Sequence, residues 1–213
     1  MHTQLDLQDF KTSHPVTTLF RRTLITGASV SADFCAPSPG KRLGWKYGGK
    51  DSVVTLARGG TPGRETIRRL THDDIADRTI VIAIDFFFWD STSHLLDASL
   101  TALQDLIELC RKPGVPLILG DIPHLLPGMQ PGRAKLNAAI HAAAKASSHC
   151  SVMELDELHR QVLCEGIEFG GRRYRLTDLA PDGLHLAEVA GNYVAERLLA
   201  TVTRDFTKLA QLG

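Results

Sequence analysis

The sequence predicts an α/β fold in which five parallel strands form a doubly wound sheet. Three observations carry that prediction. Short apolar, β-branched runs alternate with helix-period runs from residue 23 onward. One of them, Thr79-Ile80-Val81-Ile82-Ala83-Ile84, has the nearly unbroken apolar character of a central strand covered on both faces. No repeat or internal linker interrupts the alternation, and 213 residues is a one-domain length, ample for a real core.

Residues 1–22 are polar, lack a clear period and read as an N-terminal arm, which leaves 23–213 as the folded domain. The first strand is expected over 23–26, ending at Gly27, which allows a tight turn. Residues 36–49 hold two prolines and four glycines and read as loop, with a short helical piece around 43–47. The second strand is expected over 52–57. A glycine-rich turn, Gly59-Gly60-Thr61-Pro62-Gly63, then leads into a helix carrying Ile67 and Leu70 on one face. The third strand covers 79–84 and is closed by Asp85-Phe86-Phe87-Phe88-Trp89-Asp90. Four consecutive bulky side chains cannot all face inward, so one or two of Phe86–Trp89 are expected to line an apolar pocket. Residues 95–110 form an amphipathic helix, with Leu96, Leu100, Leu103, Leu106, Ile107 and Cys110 inward. The fourth strand is expected over 115–119, an alanine-rich helix over 131–147, and the fifth strand over 151–155. A short helix then runs to about 164. Gly170-Gly171 and a basic stretch follow, and 187–199 reads as a terminal helix.

Lys+Arg and Asp+Glu both number 24, so no charge bias argues for nucleic acid. No apolar run approaches the roughly 20 residues of a membrane span. The four cysteines have neither metal spacing nor a disulfide-rich pattern, and are expected to be mostly buried free thiols in a reducing compartment. Gly44-Trp45-Lys46-Tyr47-Gly48-Gly49-Lys50 has phosphate-loop spacing, but Asp51 stands where Mg²⁺ binding needs Ser or Thr. His72-Asp73-Asp74 lacks a further ligand at useful spacing and reads as a solvated helix end.

Two short segments carry the chemistry. Ser29 follows the first strand, where an open α/β sheet places its ligands, and a serine there is a nucleophile if a base reaches it. Asp182 and His185 lie three apart on a loop before the terminal helix. Asp182 can accept the Nδ1 proton and leave the other ring nitrogen to take a proton from the serine.

Gly27-Ala28-Ser29-Val30 and Asp182-Gly183-Leu184-His185 resemble the first and last blocks of the GDSL/SGNH hydrolases. These are serine esterases and lipases on a flavodoxin-like, three-layer α/β/α fold. The resemblance implies an acyl-enzyme mechanism on a small-molecule ester, with Ser29, Asp182 and His185 catalytic and no metal or organic cofactor. It implies an oxyanion hole from the Ser29 N–H, a glycine N–H after the second strand and a third-block asparagine. Gly63 is the match for the glycine and Gly60 the alternative. Asp85 occupies the asparagine position. A carboxylate there would repel an oxyanion, and holding it protonated at pH 7 costs roughly 4 kcal/mol. That is comparable to the roughly 3–4 kcal/mol one oxyanion donor contributes. Asp85 is therefore expected either to be a protonated donor in an apolar setting or to bond backbone or His185. Two alternatives stay open: an O-acyl or acetyl transferase using the same acyl-enzyme, and a catalytically weakened protein binding an acylated or carbohydrate ligand. With no leader at the start of the chain, a cytoplasmic location is expected; a secreted, trimmed form is the alternative.

Overall fold

The computed structural model describes residues 15–210. The fourteen residues before them, most of the expected arm, lie outside the described residues. The last part of that arm is not an arm: Pro15–Phe20 form a 3-10 helix whose Val16 and Phe20 are fully buried.

The elements follow in the order β1 (Thr23–Gly27), α1 (Pro39–Gly48), β2 (Val53–Ala57), α2 (Gly63–Thr66), α3 (His72–Ala76) and β3 (Ile80–Ala83). Then come α4 (Asp97–Arg111), β4 (Leu117–Gly120), α5 (Arg133–Ala146), β5 (Cys150–Met153) and α6 (Leu155–Glu165). The chain continues through β6 (Ile167–Phe169), β7 (Arg172–Tyr174), α7 (Leu176–Leu179) and α8 (Glu188–Ala210). Strands β1 to β5 pair in parallel in the order β2-β1-β3-β4-β5. This is the doubly wound, three-layer sheet the sequence predicts.

The period of the strands decides which layer each side chain enters. In β3, Ile80 and Ile82 face one layer, with Phe20, Leu43, Val194, Leu198, Val202 and Phe206. Val81 and Ala83 face the other, with Leu103, Leu106, Leu136 and Ile140 of α4 and α5. β3 is buried at every position, which is why its sequence reads as continuous rather than alternating.

Two elements exceed the sequence reading. The terminal helix runs on to Ala210. The basic stretch after Gly170-Gly171 is the second arm of an antiparallel hairpin, β6 with β7. Both turn glycines have positive φ, 57° and 74°, as the tight hairpin turn that matches strand twist requires. The hairpin, α6, α7 and α8 share a small third core of Val162, Ile167, Leu179 and Ala190. That cluster stands over the ends of the central strands.

Candidate active site

The turn after β1 is built around Asp85. Because β3 is the neighbour of β1, a carboxylate just past the end of β3 reaches across to the β1 exit. Asp85 accepts the amides of Ala28 (3.1 Å), Val30 (2.8 Å) and Ser31 (3.2 Å), and the Ser31 hydroxyl (2.5 Å). Burial pushes its carboxyl above the usual carboxylate range, opposed by the Ser31 hydroxyl and the three amides. All four groups can donate, so the acceptor-only carboxylate is the state this turn is shaped to hold. The expectation of Asp85 in the oxyanion hole is thereby corrected. Both its oxygens are engaged by the turn's own donors instead of facing a substrate. Gly27 adopts φ 148°, and a Cβ there would run into Asp85 Oδ1. Position 28, beside the serine, is alanine, and the carboxylate that organises the turn arrives from the residue just past β3.

The amide of Ser29 is the exception. Among the described residues it has no hydrogen-bond partner, while Ala28, Val30 and Ser31 are all engaged. An unpaired N–H at a strand-exit turn is available to an incoming anion.

Gly63 is a second correction. Its N–H donates to Asp90 Oδ2 at 2.5 Å. Asp90 is fully buried and also takes the Arg64 amide, the Arg64 guanidinium and the Ser99 hydroxyl. The Gly63 amide is therefore committed to anchoring α2. The turn before it is differently placed. A Cβ at Gly59 would lie 3.7 Å from the Cβ of Ser29. Neither Gly59 nor Gly60 has its amide hydrogen-bonded among the described residues. The Gly60 alternative thus keeps a free amide, and its neighbour Gly59, which the sequence reading placed only in the glycine-rich turn, lies against Ser29.

At the other end of the chain, Asp182 forms a local Asx turn. Its Oδ1 accepts the amides of Leu184 (2.9 Å) and His185 (2.7 Å), and its Oδ2 lies 2.6 Å from His185 Nδ1. The His185 amide, its ring and the Leu184 amide hold the Asp182 carboxyl well below the usual carboxylate range. An ionised partner at that distance makes Nδ1 the donor and leaves Nε2 with the lone pair. A carboxyl with a depressed value stabilises the turn above its unfolded value of about 3.9, and that contribution is lost as pH falls through the lower folded value. A carboxyl-carbon NMR titration is expected to place the Asp182 midpoint well below 3.9, moving part of the way back in His185→Ala, where the backbone amides remain.

The Ser29 loop meets this turn from below. Phe34 donates its N–H to the Ser29 carbonyl (3.0 Å), and its ring packs against that of His185, tilted by 44° with centroids 4.3 Å apart. Asp33 ties the loop down by accepting the Ser38 amide (2.8 Å) and pairing with Lys41. Among the described residues no hydrogen bond joins Ser29 Oγ to the His185 ring. The same loop also brings a sulfur to the dyad: Cys35 Sγ, an Asp182 oxygen and a His185 nitrogen lie within 4.8 Å of one another. The expectation of mostly buried thiols holds for Cys110 and Cys150 and fails for Cys35 and Cys164, which are exposed.

An apolar cavity of about 130 Å³ opens beside Ser29 at the ends of β1, β3 and β4. Phe87 and Phe88 line it, as the aromatic run predicts, with Ile84, Ile122, Leu158 and Val162. Leu184 and Leu186, which flank His185, close it from above. Its polar lining includes Asp121, whose carboxylate accepts the Asp156 amide (2.8 Å), and His159, which burial keeps on the neutral side. His124, Trp45 and Tyr47 do not line it. No described helix is long and apolar enough to cross a membrane.

No family profile and no curated protein sequence matches the chain. Solved structures do. The psychrotrophic esterase EstA from Pseudoalteromonas sp. superposes with TM-score 0.61 at 16% identity, covering 86% of this chain and 97% of that one. A protein described as a putative acylhydrolase from Bacteroides fragilis gives TM-score 0.59 at 12% identity over 99% and 100%. A protein described as a putative SGNH hydrolase from Slackia heliotrinireducens gives 0.57 at 16% over 84% and 97%. The fold is that of the SGNH hydrolases, over most of the chain.

Proposed function

We propose that the protein is a serine ester hydrolase selective for esters with an apolar acyl group. The observation that carries this reading is the turn at Ser29. Asp85 takes the amides around it and leaves the Ser29 N–H unpaired, beside an apolar cavity. Ser29 Oγ attacks the ester carbonyl. His185 Nε2 accepts the proton, and Asp182 holds the ring and stabilises the imidazolium. The Ser29 amide and the Gly59-Gly60 turn receive the oxyanion, and the alcohol leaves with the proton from His185. Water then attacks the acyl-enzyme with His185 as base. Ser29 Oγ and the His185 ring, not hydrogen-bonded in the free protein, come together when substrate enters, as catalytic hydrogen bonds often form only in the substrate complex.

The test is covalent labelling with a fluorophosphonate probe. Wild-type protein is expected to label at Ser29 and Ser29→Ala to remain unlabelled. No labelling of folded wild-type protein at mildly alkaline pH would overturn the reading.

The cavity sets the acyl length. An apolar cavity of about 150 Å³ holds benzene, so this one suits an aryl group or a short acyl chain of similar size. Ala180 lines it and is nearly buried. Ala180→Leu is expected to lower kcat/KM for a hexanoyl ester by about 10-fold or more, since each methylene in an apolar pocket is worth roughly 1–3 kcal/mol. Acetyl ester hydrolysis is expected to stay within about 3-fold. Equal losses on both esters would place the acyl group elsewhere.

A further inference from the structure

The geometry points to a binding site for a thiophilic divalent cation, Zn²⁺ above all, formed by Cys35, Asp182 and His185. The three ligand atoms come from two loops far apart in sequence and all lie within 4.8 Å of one another. Tetrahedral zinc with bonds of about 2.0–2.3 Å wants its ligand atoms roughly 3.3–3.8 Å apart. On loading, Cys35 closes by about an ångström while the Asp182–His185 contact, a 2.6 Å hydrogen bond in the free protein, opens by about as much and the ring gives up its Nδ1 proton to solvent. Thiolate, imidazole and carboxylate are the donors zinc takes, and together they offset its charge. Three protein ligands leave a fourth position for water.

The loop fixes the backbone that carries the thiol, so that on this side of the site only the Cys35 side chain has to turn. Asp33 and Cys35 both adopt left-handed φ, 60° and 68°, which non-glycine residues enter at a cost. Asp33 fixes that conformation through Ser38 and Lys41. Phe34, between the two, is seated on the His185 ring. The other cysteines are unsuited: burial pushes Cys110 and Cys150 up to about 12, and Cys164 has no such cluster around it among the described residues. A cation here occupies the His185 ring or its Asp182 partner, so the ring can no longer take a proton from Ser29. The metal site stands on its own geometry; this inhibitory consequence rests on the esterase reading above.

The probe is Co²⁺ added to the full chain, read by absorption. Thiolate-to-cobalt charge transfer in the near ultraviolet is expected at one Co²⁺ per chain, displaced by Zn²⁺. The band is expected to vanish in Cys35→Ser and persist in Cys164→Ser. His185→Ala is expected to weaken binding by about 10-fold or more, as loss of a ligand or of its orienting partner does. No band in the wild type, or a band that survives Cys35→Ser, overturns the site. In parallel, Zn²⁺ is expected to inhibit ester hydrolysis by the wild type, reversibly with a chelator. Cys35→Ser is expected to keep its basal rate and lose the inhibition. Cobalt binding without any ester hydrolysis supports the site and sinks the esterase reading; undiminished hydrolysis by zinc-loaded protein overturns the inhibitory role.

Discussion

Ser29→Ala is expected to lower kcat for ester hydrolysis by about 10⁴–10⁶-fold, the range seen when a nucleophile of this kind is removed. The melting temperature is expected to change little. Ser29 is partly buried, and its hydroxyl makes no hydrogen bond among the described residues, so removing it leaves no orphaned partner. A substitution of that sort falls within about 0.5 kcal/mol. The separation is the useful part: the activity disappears while the scaffold does not move. Steady-state kinetics with p-nitrophenyl esters, alongside thermal denaturation of both proteins, reads it. A variant that keeps even a tenth of the wild-type rate would show that another group carries the chemistry, and Cys35 would be the first candidate.

Asp85→Asn is expected to damage both stability and rate. Asparagine is nearly isosteric with aspartate but offers one acceptor oxygen and one NH₂ group. Three amides and a hydroxyl converge on the two oxygens of Asp85. The hydroxyl of Ser31 can turn to accept, but in either orientation of the new amide at least one backbone N–H faces another donor. Losing charge-assisted bonds and stranding an amide costs about 2–4 kcal/mol. The strain falls on the turn that aims Ser29. Since about 1 Å of misplacement can cost 10²-fold, kcat is expected to fall by about that factor. A rate that rises instead would mean that Asp85 suppresses catalysis, as expected for a weakened relative of these enzymes. Chemical denaturation and kcat on the same preparation decide between the two.

The contrast between residues 182–185 and residue 85 shows what sequence can reveal. Asp182 and His185 are three apart, and an Asx turn brings their side chains together without help from the rest of the chain. Their pairing is a local event, and a local pattern announces it. The strands are equally local in origin: β3 is legible because a buried parallel strand has no polar face to break its run. The β6–β7 hairpin was not legible: Gly170-Gly171 marks a turn, but arms of only three residues each are too short to carry an alternation that announces strands.

Asp85, Gly63 and Cys35 belong to the other class. Where the Asp85 carboxylate points depends on the β1–β3 pairing, 55 residues away from Val30. Whether Gly63 offers its amide depends on a buried aspartate 27 residues on. No spacing rule encodes either. The sequence by itself determined the layered sheet, the strand order's raw material and a serine and an aspartate–histidine pair at its two ends, because periodicity and short-range turns are written in neighbouring residues. Only the tertiary structure decided which amides remain unpaired, what the Asp85 carboxylate bonds and which thiol meets the imidazole. Those outcomes are set by hydrogen bonds and contacts between segments that become neighbours only when the sheet closes.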